Sequence, residues 1–294
     1  MLLKRPPASY FSRNSDPPSP KLPLIPTIAN GISKTMKPFS ISPNPASLYL
    51  TAGLKSVIAK VRYTIEERQG LTCILGDVGM GKSSVLRLLF GEYEANEGVI
   101  ACLIPTPSYA TEFAFLKGLC NEIGLPPKRS LYDQEDILKT FLVERYREGK
   151  NVVVFIDEAQ RLKGKMLEQV RAMLNFETSQ EKLIQIVMAG QLELRDRLKD
   201  PSKKAIRSRI FAPSILDPLS PAETKSMIEF RCELADIQVP FSDEAITTIY
   251  NSTSGVPREV LKICAVTYQI MQLKGEKQAS FETITEALSE AVLV

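Results

Sequence analysis

The sequence predicts an α/β chain: an open parallel β-sheet sandwiched by helices and followed by an all-α lid subdomain. Three observations predict it. Short apolar, β-branched runs at 71–75, 98–104, 151–157 and 183–190 alternate with segments of helical period. The first run opens into a Gly-rich turn and then a helix. After Leu219 the strand-like runs stop, and four helical segments follow.

From Leu48 to about Arg68, Leu54, Val57, Ile58, Val61 and Ile65 recur at three- and four-residue steps, which predicts a helix. Residues 71–75 form a short buried strand, 76–81 a Gly-rich turn and 82–90 a helix. A strand at 98–104 precedes helices at 111–123 and 133–148, the first ended by Gly124-Leu125-Pro126-Pro127. Residues 151–157 are the strongest strand, four β-branched residues and a Phe ending in an acid. A helix at 165–175 and a strand at 183–190 complete the α/β part, which spans 38–218. In 219–294 the helices carry Ser220, Ser242 and Ser280 as expected N-caps, with Glu223 closing a capping box on Ser220.

Residues 1–37 stand apart. Ten of the 20 prolines fall in the first 45 residues, and residues 1–37 carry six Lys/Arg against one Asp. Such a Pro-rich, basic tail is expected to be disordered in isolation, either a docking arm for an acidic surface or a solvated leader. The whole chain of 294 residues has a net charge of only +3.

Composition excludes several chemistries. With no histidine there is no Ser-His-Asp or Cys-His nucleophile, no His-Glu-x-x-His zinc site and no haem on a proximal His. The five cysteines, Cys73, Cys102, Cys120, Cys232 and Cys264, form no C-x-x-C pair, so a reduced, cytoplasmic chain with buried thiols is expected. No apolar run approaches the roughly 20 residues that span a bilayer, and the start has no signal-peptide core.

Gly76-Asp77-Val78-Gly79-Met80-Gly81-Lys82-Ser83 matches G-x-x-x-x-G-K-[ST] without a gap and is followed by Ser84. Its glycines let backbone amides converge on a polyanion at a helix start; Lys82 suits β- and γ-phosphate oxygens, and Ser83 suits Mg²⁺. The strand 152–156 ends in Asp157 and Glu158, which places carboxylates at the sheet edge where α/β folds bind ligands. Asp157 is assigned to the Mg²⁺ shell and Glu158 to polarising water for attack on the γ-phosphate. Gln191, just past a strand, either orients that water or is a loop amide. Arg209, with Arg207 in reserve, either reaches a neighbouring subunit's phosphates or is a surface charge. Arg258 opens a helix after Gly255-Val256-Pro257, where a cation opposes the helix dipole, so an anion such as a phosphate is its expected partner.

These elements in this order resemble an AAA+ ATPase: Walker A at 76–83, Walker B at 152–158, sensor 1 at Gln191, an arginine finger at Arg209 and sensor 2 at Arg258 in a helical lid. The stretches PFSISPNPASLYLT, IDEAQRL and MAGQLELRDRL resemble the ExeA/TnsC/TniB branch, transposition-regulator-like and related to the ORC/Cdc6 P-loop NTPases. The resemblance implies ATP and Mg²⁺ as cofactors, ATP hydrolysis and ATP-dependent self-assembly into a ring or filament. It also implies that Phe39, Ile41, Leu48 and Tyr49 lie near the adenine. TnsC- and TniB-type members assemble on DNA and direct a transposase. ExeA-type members serve secretion and carry a membrane span, which is not expected here.

The expectation is therefore an ATP-dependent, oligomerising regulator of transposition that contacts double-stranded DNA without sequence preference and binds a transposase or another recombination protein. Lys117, Lys128, Arg129, Lys163 and Lys165 are the candidate DNA contacts, each open to reading as a solvated charge. Two alternatives are a secretion ATPase of the ExeA kind and a nucleotide-gated scaffold with little turnover.

Overall fold

The computed structural model describes residues 37–291. In chain order the elements are α1 (Ala52–Glu66), β1 (Leu71–Leu75), α2 (Lys82–Glu94), β2 (Val99–Ile104), α3 (Glu112–Glu122), α4 (Leu131–Arg147), β3 (Asn151–Ile156), α5 (Gly164–Met173), β4 (Gln185–Gly190), α6 (Leu192–Lys199), α7 (Lys204–Arg207), β5 (Ser214–Ile215), α8 (Pro221–Leu234), α9 (Asp243–Thr253), α10 (Pro257–Lys274) and α11 (Phe281–Ala291). The Pro-rich, basic tail falls on residues outside the described ones, apart from Lys37.

All five strands are parallel, in the order β2-β3-β4-β1-β5. Strand alternation divides the sheet's two faces. Leu71, Cys73, Leu75, Val152, Val154, Ile156, Ile186 and Met188 join the cluster that α3 to α7 cover. Ile74, Val153, Phe155, Val187 and Ala189 face α1 and α2. Burial on both faces explains why these strands are continuous apolar runs. The order puts β1 and β3 on either side of β4, so the loops leaving all three open on one sheet edge.

Helices α8 to α11 pack around an apolar cluster of their own, which includes Met227, Ile228, Ile249, Val260, Ile263 and Cys264. The capping box at Ser220 and Glu223 is present, Ser242 accepts the Ala245 N–H at 3.2 Å, and Ser280 accepts the Thr283 N–H at 3.1 Å. All five cysteines are free and buried. Three lie in the α/β layers and two among the C-terminal helices.

Several expectations need correction. The first helix starts at Ala52, not Leu48, because the Thr51 hydroxyl caps it by accepting the Leu54 N–H at 3.1 Å. The helix expected at 82–90 runs on to Glu94. Helices α6 and α7 and the two-residue edge strand β5 were not anticipated. Phe39, placed in the α/β part and near a base by the resemblance, is 3% exposed within the C-terminal helical cluster. Its ring meets Phe241 and Tyr268 edge-on at 5.7 and 5.8 Å.

Candidate active site

The buried strand β1 delivers the chain to residues 76–81. Gly79 and Gly81 adopt φ of 86° and 90°, the left-handed region where a side chain is strained. A Cβ at Gly79 would also lie 2.9 Å from Arg258 Cβ, so glycine is required twice over. Gly81 caps α2 with no side-chain acceptor, which leaves first-turn amides for an anion. Lys82 is 6% exposed, and its Nζ donates to the carbonyls of Gly76 at 2.9 Å and Asp77 at 2.7 Å. Burial pulls the Lys82 pKa down, while Glu158, Asp157 and Asp77 oppose that pull and Arg258 adds to it.

A cleft of about 370 Å³ opens beside this loop, a volume typical of small-ligand sites. Val78 to Ser84, Glu158, Gln191 and Arg258 line it, as do Ile41, Leu48 and Tyr49 from the N-terminal segment. Gly76 and Asp77 meet Lys82 through their carbonyls and lie outside the lining, as does Asp157. The backbone N–H of Arg258 donates to the Gly79 carbonyl at 3.2 Å, so the first turn of α10 is attached to the Gly-rich loop.

Asp157 is buried, and its Oδ1 accepts the Glu158 N–H at 2.9 Å. Glu158 has φ 51° and ψ 37°, a backbone that costs a non-glycine residue about 1–2 kcal/mol. It opens a tight turn over Ala159–Arg161. The Gln160 Nε2 donates to Glu158 Oε2 at 2.6 Å, and Gln160 Oε1 accepts the Gln191 N–H at 3.2 Å. Arg197 on α6 fixes the same turn from behind, donating to the carbonyls of Gln160 at 2.6 Å and Leu162 at 2.5 Å. Ser83 and Asp157 offer the hard oxygen donors that Mg²⁺ prefers, and neither the Ser83 hydroxyl nor Asp157 Oδ2 has a hydrogen-bond partner among the described residues.

Arg209 does not line the cleft. It is half-buried in the turn just past α7 and has no side-chain hydrogen bond or ion pair among the described residues. Arg207 is occupied, donating to the Lys199 carbonyl at 2.7 Å. Of the candidate DNA contacts, Lys117, Lys128, Arg129, Lys163 and Lys165 are all exposed; Lys165 lies 3.9 Å from Glu112, and Lys117 sits over the Phe113 ring.

Sequence reasoning missed Gln160, Arg197 and Arg231. Arg231, on α8, is 5% exposed and lines the cleft. Its Nε donates to the Pro38 carbonyl at 2.8 Å, one terminal nitrogen to Ser47 at 2.8 Å, and the other to the Ser40 carbonyl. Burial lowers its pKa. Three carbonyls of the N-terminal segment thus converge on one guanidinium, which holds Ile41 and Leu48 beside the cleft.

Residues 65–198 match the family model of the AAA domain. General secretion pathway protein A of Aeromonas hydrophila is 34% identical over 235 residues, covering 77% of this chain and 42% of that protein. A potential ATP-binding protein of Staphylococcus aureus is 28% identical over 145 residues, covering 48% of this chain and 51% of that one. The chain therefore spans about half or less of the curated relatives it matches. Among solved structures, the Aeropyrum pernix ORC2 protein in its ADPNP-ADP complexes superposes with a TM-score of 0.65 at 16% identity, over 86% of this chain and 71% of that one. The Aeropyrum pernix ORC1 protein in complex with DNA gives 0.65 at 14%, over 86% and 69%. Those two likenesses bear on the fold, which is that of an AAA+ P-loop protein.

Proposed function

We propose that this chain, which carries an AAA-type P-loop ATPase domain, hydrolyses Mg²⁺-ATP in the cleft between the Gly-rich loop and α10, and that the nucleotide controls its self-assembly. The observation that carries this reading is that residues Gly79–Ser83, Glu158, Gln191 and Arg258 all line one cleft of about 370 Å³. The amides and Lys82 hold the β- and γ-phosphates. Glu158 accepts a proton from the attacking water, Gln191 orients that water, and Arg258 contacts the phosphates from α10. Ser83 and Asp157 would hold Mg²⁺, which when bound neutralises charge on the phosphate oxygens. Ile41, Leu48 and Tyr49 offer an apolar wall for the base.

Arg209 completes the site of a second copy. Its guanidinium is uncommitted and outside its own cleft, whereas Arg207 is spent on a helix terminus. Lys82→Ala and Arg209→Ala are each expected to lose hydrolysis. Mixed, they should recover it, because an interface forms in which one copy supplies Lys82 and the other Arg209. A mixture as inactive as its parts sinks the role of Arg209.

The assembled form is proposed to bind double-stranded DNA through its phosphates and to serve transposition by contacting a transposase. Residues 195–209 carry seven Lys/Arg against two Asp, close to Lys163 and Lys165 in the fold, which supports a polyanionic partner. A nonspecific duplex should be retarded in the presence of ATP, and the effect should weaken steeply as salt rises. Retardation that ignores salt, or none at all, overturns this part. The 34% identity to general secretion pathway protein A favours a second reading, a secretion ATPase. No described helix is long and apolar enough to cross a membrane.

A further inference from the structure

We propose that Gln160 is a positioning residue for hydrolysis, clamping the Glu158 carboxylate in place and tying it to the end of β4. The inference rests on the reading of Glu158 as the base. Four observations carry it. The left-handed backbone at Glu158 starts a turn that brings the side chain of Gln160 back over that of Glu158, and Nε2 meets Oε2 at 2.6 Å. The other end of the same carboxamide accepts the Gln191 N–H at 3.2 Å, so one planar group joins the proposed base to the residue proposed to orient its water. The Gln160 backbone is itself fixed by Arg197, and a Cβ at Gly190 would lie 3.4 Å from Gln160 N and Oε1, so β4 closes on the group with little room. Glu158 Oε1, by contrast, has no hydrogen-bond partner among the described residues, and Glu158 lines the cleft. A carboxylate with one oxygen tied and one free has a single orientation in which to accept a proton.

The pairing also constrains chemistry at position 160. The uncharged carboxamide donates to the Glu158 carboxylate through its nitrogen while its oxygen accepts the Gln191 N–H. Glutamate keeps the size and the acceptor but replaces the donor with a like charge.

The test compares Gln160→Ala and Gln160→Glu in wild-type and Glu158→Gln backgrounds, reading turnover, affinity for a fluorescent ATP analogue and melting temperature. Both single variants should lose turnover tenfold or more while nucleotide affinity and melting temperature stay near wild type. In the Glu158→Gln background neither should lower the residual rate further, because the group being positioned is already gone. A Gln160→Glu variant with wild-type turnover, or losses that add in full to that of Glu158→Gln, overturns the proposal. If Glu158→Gln itself hydrolyses ATP at the wild-type rate, the reading of Glu158 fails first, and the two failures are told apart.

Discussion

Glu158→Gln is expected to leave the chain folded and nucleotide-bound while slowing hydrolysis about a hundredfold or more. The amide is isosteric with the carboxylate and keeps an oxygen that can accept from Gln160 Nε2, so the turn at 158–161 need not rearrange. The phosphates are assigned to the loop amides and Lys82, which the substitution does not touch. What is lost is the ability to take a proton from water. Because ATP then persists in the site, the assembled form should accumulate, visible as a larger particle in light scattering with ATP and Mg²⁺. Loss of ATP binding in this variant would mean that Glu158 acts through the loop and not as a base.

Arg231→Ala is expected to cost about 4 kcal/mol of stability. The side chain donates to the carbonyls of Pro38, Ser40 and Ser47 and has no acidic partner among the described residues, so its charge is balanced by carbonyl dipoles alone. Truncation leaves those carbonyls without their donor and empties a site that is 5% exposed. Phe39, seated among Phe241 and Tyr268, loses the neighbouring contact that holds its segment down. Lysine should restore less than half, because one ammonium cannot span three carbonyls presented to a planar fork. Urea denaturation measures both variants; an alanine variant within about 1 kcal/mol of wild type would show that the segment is held by its apolar contacts.

Much of this was legible in the sequence because it rests on local patterns. The strand–loop–helix at 71–90 combines an apolar run with glycines whose φ values only glycine adopts cheaply, and the run at 151–156 is buried on both sheet faces. What stayed hidden depends on distant partners. Arg231 lies 191 residues from Ser40, and along α8 it looks like one more charge on a solvated face. Gln160 lies 31 residues from Gln191, and its role follows from a left-handed Glu158 that no residue type announces. Strand β5 has two residues, too few for any period, and exists because β1 offers it an edge. The place of Phe39 is not legible because an apolar residue ahead of a helix does not say which of two clusters will take it; the aromatic neighbours among the C-terminal helices decide.

The buried cysteines give the molecule two internal clocks. Burial pushes the thiols of Cys73 and Cys102 up to about 12 and that of Cys232 to about 11, and raises those of Cys120 and Cys264, so at neutral pH the folded chain offers almost no thiolate to an alkylating reagent. Each thiol reacts only after its surroundings open. Because Cys73, Cys102 and Cys120 belong to the α/β layers while Cys232 and Cys264 belong to the C-terminal helices, alkylation of the two sets times the opening of two regions separately in the unaltered protein. A nucleotide bridging the Gly-rich loop and α10 would slow both sets together, which turns native thiol chemistry into a gauge of how firmly ligand binding couples them.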